Sequence, residues 1–134
     1  MSPPQRDPAE AGQNDNEKFK IEFKKRLYKW VLRLIRFIGN LPKDSVCNVL
    51  GNQLLRSGTS VLANYVEAGS ASSRRDFINF FTHSLKSANE SKIWLALLRD
   101  TAKGDREELD FLLSELIEVA KVLASSIITL KGKR

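Results

Sequence analysis

His83 is the one imidazole of the sequence, Cys47 its one thiol, and Glu107 with Glu108 a pair of adjacent carboxylates. General-base, nucleophilic or metal chemistry would have to start from these residues. One His and one Cys make no soft-ligand set for zinc and no disulfide within the chain. No nucleophile or orienting partner is set by spacing around His83, so an enzyme working through His83 with Glu90 or Asp76 has only residue types in its favour. No catalytic residue, metal or cofactor is therefore expected. Glu107 and Glu108 read as first-turn acids that complement a helix dipole, and Cys47 as a small, partly buried residue. Trp30, Trp94, Phe77, Phe80 and Phe81 recur at helical spacing beside leucines, which is the pattern of a core and not of an open stacking platform.

Binding chemistry is better represented. Lys18, Lys25, Lys29, Arg33 and Arg36 fall within an arc of roughly 80° on a helix, opposite Phe23, Leu27, Leu34 and Ile38. Such a stripe suits a phosphate backbone. Arg74 and Arg75, behind Ser72 and Ser73 at a helix start, offer two more cations beside free amide donors. Lys131, Lys133 and Arg134 repeat the sign at the C-terminus. Gln53, Arg56, Ser60, Asn64 and Glu67 form a polar stripe that an antiparallel hairpin would bring against Asp76, His83, Ser87 and Glu90. This set reads as a buried network that fixes register between two helices. Ile21, Tyr28 and Ile35, seven residues apart between the apolar and basic faces, are expected to form a subunit interface.

The elements that must position these residues follow from hydrophobic period. Apolar residues recur at threes and fours over four stretches, and no stretch alternates long enough for a strand. The first helix is expected from Glu17 to Ile38, stopped by Gly39-Asn40-Leu41-Pro42, and the second from after Pro42 to about Gly69. The third is expected from Arg74 to Lys103 with Gly104 as the residue after its end. The fourth follows Asp105, whose spacing to Glu108 resembles a capping box. Short links demand antiparallel neighbours, so the expected fold is all-α, an antiparallel up-down-up-down four-helix bundle. Its span is 17–130, after a disordered tail at 1–16 rich in Pro, Gly and Asn and before a basic tail at 131–134.

The 134 residues carry a formal charge of +6, and its placement narrows the function further. Residues 17–36 hold eight Lys or Arg against Glu17 and Glu22, so the excess belongs to the first helix and the C-terminus. No apolar run spans a membrane and the start lacks a signal-peptide pattern, so a cytoplasmic protein without membrane contact is expected.

The segment from Gln53 to Leu95 resembles the bacterial four helix bundle family, whose members are known as 23S ribosomal RNA intervening-sequence proteins. The accessory protein of diversity-generating retroelements is a distant relative. The resemblance rests on Gln53, Arg56, Ser57, Ser60, Ala63, Asn64, Glu67, Gly69, Asp76, Phe77, Ser87, Glu90 and Leu95. Two departures are the opening of the usual Glu-Gly pair to Glu67-Ala68-Gly69 and the placement of His83 where a small or apolar residue is common. The resemblance implies a cyclic homo-oligomer, commonly a pentamer, that binds nucleic acid or a nucleic-acid enzyme such as a reverse transcriptase, without catalysis. The alternative function class is a structural or protein-binding bundle with no nucleic-acid role.

Overall fold

The four periodic stretches fold into four α-helices, and the computed structural model describes residues 8–132. In order they are α1 (Pro8–Gly39), α2 (Ser45–Ala68), α3 (Arg74–Asp100) and α4 (Arg106–Gly132). Three of the starts are capped by side chains that satisfy an orphan amide. Asp44 accepts from Cys47 N at 2.8 Å, Ser73 from Asp76 N at 3.1 Å and Asp105 from Glu108 N at 2.9 Å.

Three ends differ from expectation, one of them that of α4, which runs on to Gly132 past the expected limit at 130. Helix α1 begins at Pro8, well ahead of Glu17, so residues 8–16 are helical where composition predicts a tail. Proline fits a first helical turn, and Ala9, Glu10, Ala11 and Gln13 favour helix. Residues 1–7 of the expected N-terminal tail, together with Lys133 and Arg134, lie outside the described residues. Helix α3 stops at Asp100 instead of Lys103. Ala102 takes the left-handed conformation at φ 56°, while Lys103 N donates to the Leu98 carbonyl at 2.8 Å and Ala102 N to that of Arg99 at 3.1 Å. This pattern closes the last turn ahead of the place that Gly104 would set. Gly104 instead serves close packing, because at φ 80° it passes so near the end of α1 and the turn after it that a Cβ would lie 2.8 Å from Leu41 and 2.9 Å from Phe37.

Cross-helix contacts give the topology. Arg56 meets Glu90, Ser57 meets Ser91 and Val61 meets Ser84, so numbers rise on α2 as they fall on α3. Arg26 with Glu115 and Arg33 with Glu108 set the same opposition between α1 and α4. Leu34 lies at Gly58 and Ile38 at Gly51, which makes α1 and α2 antiparallel as well. Each helix packs on its neighbours in a closed square, with the α2/α3 contact the most extensive and α1/α4 the slightest. The fold is thus an all-α, up-down-up-down four-helix bundle.

The core is built from leucines of all four helices around Trp30, whose indole N–H donates to the Leu112 carbonyl at 2.9 Å. Between α2 and α3 the core is polar but satisfied. Ser57, Ser84 and Ser91 are fully buried; the Ser91 hydroxyl lies 2.7 Å from that of Ser57, and Ser84 donates to the Val61 carbonyl at 2.7 Å. Small hydroxyls let the two helices approach closely while fixing their register. Among the described residues, no helix is long and apolar enough to cross a membrane.

Candidate nucleic-acid interface

Helix α1 turns Phe23, Leu27, Trp30, Leu34 and Phe37 into the core, which obliges the residues about half a turn away to face solvent. Lys18, Lys25, Lys29 and Arg36 stand exposed along that outer face. Lys25 makes only a loose, exposed pair with Glu22 at 4.0 Å. These four cations form a continuous stripe available to an anion.

Arg33 leaves the stripe that the sequence assigns to it. It lies at the edge nearest α4, where its guanidinium grips Glu108 through two bonds of 2.8 Å and stacks 3.5 Å over the Phe111 ring. Its bond to Glu108 raises the Arg33 pKa and holds the Glu108 carboxyl below the usual range. Arg26, absent from the stripe expected on sequence, pairs through its Nε with Glu115 one heptad earlier. The signal for both was present: Arg26 and Arg33 are seven apart, as are Glu108 and Glu115, the spacing of flanking charges in paired helices. These two cations hold α1 against α4.

The start of α3 is also altered by the chain's own charges. Asp76 accepts from the Ser72 amide at 3.3 Å and hydroxyl at 3.4 Å, and its own amide is taken by Ser73. A carboxylate therefore occupies the place expected for a phosphate. Arg75 is exposed there, while Arg74 donates to the Leu130 carbonyl near the end of α4. Lys131 is exposed and belongs to the last turn of α4, not to a tail.

The polar stripe of α2 is only partly joined to α3. Arg56 bonds Gln53 at 3.0 Å and Glu90 at 2.5 Å, but with side-chain exposures of 58% and 35% the Arg56–Glu90 pair lies at the surface. Asn64 bonds Ser60 within its own helix, Ser87 contributes its carbonyl to Ser91, and Asp76 serves as described above. Glu67 and His83 are exposed. The expected buried network is replaced by the buried serines Ser57, Ser84 and Ser91. Their small size at core positions was the available signal, and it was obscured because serine reads as surface.

Near the other boundary of the basic stripe, Ile21, Tyr28 and Ile35 are 53%, 56% and 46% exposed. Leu32 stands among them, and Leu55 and Val66 are exposed on α2. Carried along the α1/α2 register, Leu55 comes level with Ile35 and Val66 near Ile21. An apolar face of two helices thus borders a basic face of one.

Asp44 links two loops. Its carboxylate receives the Cys47 amide and Lys103 Nζ at 3.0 Å, which together hold it down at about 2. Cys47 is buried, and burial pushes its thiol up.

A model of the family described as 23S rRNA-intervening sequence protein matches residues 20–125. Among solved structures, a protein of unknown function from the S23 ribosomal protein family of Bacteroides thetaiotaomicron is similar. It is 36% identical with a TM-score of 0.74, over 81% of this chain and 96% of that one. No curated protein matches the chain.

Proposed function

We propose that this chain, which belongs to the 23S rRNA-intervening sequence protein family, is a non-enzymatic binding module that holds an RNA or DNA backbone. The observation that carries this reading is the exposed stripe of Lys18, Lys25, Lys29 and Arg36 on α1. Arg75 and Lys131 extend positive charge to the end of the bundle where α1 begins. Contacts made by exposed, flexible cations neutralise phosphates and release counterions, which favours backbone over base sequence. The apolar face of Ile21, Tyr28 and Ile35 is read as the seam between copies of the chain, the pentamer being the favoured assembly. A ring would repeat the basic stripe and multiply weak contacts. In such a ring the protein can serve as accessory to a nucleic-acid enzyme, a reverse transcriptase being one such partner.

The test is titration of a generic duplex against salt. Affinity should fall steeply as salt rises and depend little on sequence. Replacing Lys18, Lys25 and Lys29 with Gln should flatten the slope by about one unit per lost contact with helix content unchanged. Absence of binding at about 50 mM salt, where phosphate contacts are strongest, would leave the protein-binding alternative in its place.

A further inference from the structure

The slight contact between α1 and α4 opens, at the end of the bundle where α1 begins, into a cleft of about 550 Å³. That is within the range of about 300–1,000 Å³ common for small-molecule sites. The pairs Arg26–Glu115 and Arg33–Glu108 fix the register of the two helices. Continued past the core, that register sets Asn16 level with Ser125 and Ser126, and these residues form opposite walls of the cleft. The α2–α3 hairpin closes its floor.

The floor is aromatic. Five rings follow one another across it: Phe19 lies parallel to Phe23 at 6.0 Å with 9° between planes, Phe23 meets Tyr65 at 5.0 Å, Tyr65 meets Phe81 at 5.5 Å, and Phe81 meets the half-buried Phe77 at 4.7 Å. Phe19, at the outer end, is 54% exposed and lines the cleft, so its ring is within reach of whatever enters. The rim supplies hydrogen-bonding groups: the Asn16 amide and the hydroxyls of Ser125, Ser126 and Thr129. Ser126 donates its own proton to the Val122 carbonyl, which leaves its oxygen as an acceptor. Cations stand beside the opening. Lys20 lines it, and Arg74 lies against Leu130 on its wall.

A purely apolar side chain would use the floor and leave the amide, hydroxyls and cations idle. A planar heterocycle joined to a phosphate uses all three. We propose that the cleft takes one unpaired nucleobase of a single-stranded segment, stacked on Phe19, with the adjoining phosphate near Lys20 and Arg74. This rests on the nucleic-acid reading above and adds to it a preference for unpaired strands. It also assigns Phe19 a role that helical spacing does not reveal, because Phe19 lies on the flank of the same face as the core aromatics.

The experiment uses a short single-stranded oligonucleotide carrying 2-aminopurine, whose emission is quenched on stacking, beside the same oligonucleotide with an abasic site and a duplex. Binding to the wild-type chain should quench the probe. Phe19→Ala should abolish quenching and weaken single-strand binding roughly 5- to 150-fold, the size of one base stack. Duplex affinity and helix content should not change, since Phe19 is exposed, and Phe19→Trp should restore quenching. Quenching that survives Phe19→Ala overturns the proposal. Equal affinity for the abasic oligonucleotide overturns it too and assigns the cleft to an apolar side chain of a protein partner. In both cases salt-dependent duplex binding would leave the basic-face reading intact, whereas failure to bind any of the three would remove both.

Discussion

Arg33 and Lys29 are four residues apart on α1 and carry the same charge, yet the structure gives them opposite roles. Arg33 is held by two bonds to Glu108 and by the Phe111 ring, so it is committed within the chain. Lys29 is exposed. Arg33→Ala should therefore lower the melting temperature by a few degrees and leave the salt slope of nucleic-acid binding unchanged, while Lys29→Gln should do the reverse. Calorimetry and salt titration of the two variants check this, and a stability loss in Lys29→Gln alone would exchange the assignments. Sequence periodicity places both on one arc because an arc is blind to what a neighbouring helix presents. Asp44 gives a second residue-scale prediction. Its carboxyl sits at about 2 in the fold, below the value of about 3.9 for an unfolded aspartate. A lowered pKa contributes stability that is present above the unfolded value and lost as pH falls toward the folded one. Asp44→Ala should thus melt earlier than the wild type at pH 7, and the gap should narrow as pH drops from about 4 to about 2. A gap that stayed constant through that window would show that only the helix cap, and not the charge, matters.

Helices α2 and α3 show what the sequence conveys about elements and what it hides. Their existence and antiparallel pairing follow from apolar period and from the short link at Ser70–Ser73, although α3 ends three residues before the expected Lys103. Their fine register does not, because it depends on Ser57, Ser84 and Ser91, which burial turns from surface-type residues into core contacts. Arg56 and Glu90 read in sequence as the register device and are at the surface, where an ion pair contributes about 0–1 kcal/mol. Arg56→Ala should accordingly cost no more than that in denaturant unfolding, in place of the several kcal/mol due to a buried pair. Gly58 tests the packing of α1 on α2. A Cβ there would sit 2.2 Å from Leu34 Cδ2 and 3.5 Å from Trp30, both deep in the core. Alanine is the better helix former by about 1 kcal/mol, but overpacking a filled core costs about 1–3 kcal/mol. The net effect of Gly58→Ala should be destabilisation measured by the unfolding midpoint, and a stabilised variant would show that Leu34 has room to move. The basic stripe was legible as a pattern; the α1/α4 cleft was not, since a cleft arises from two helices failing to close.

At the scale of the whole molecule, an apolar face and a basic face lie side by side on α1. Ile21, Tyr28, Leu32 and Ile35, continued by Leu55 and Val66 on α2, gather exposed large apolar side chains on one face, and it is their contiguity that suits an interface. If that face joins copies of the chain, light scattering should report an oligomer at micromolar concentration, with five chains the favoured count. Tyr28→Glu with Ile35→Glu would bury charge in the seam and should give a folded monomer, because neither residue belongs to the core. The consequence for binding is quantitative. In a ring, each basic stripe that engages raises the local concentration of the next, so avidity exceeds the affinity of one stripe by about 100-fold or more where geometry allows several to bind. The total number of released counterions rises with the number of stripes engaged, and the salt slope rises with it. The monomeric variant should therefore keep its lysines and its helix content yet lose both affinity for a long duplex and most of the salt slope, while a duplex short enough to touch a single stripe should bind wild type and variant alike. Equal binding of the long duplex by both would separate assembly from nucleic-acid contact, leaving the stripe of one chain sufficient by itself.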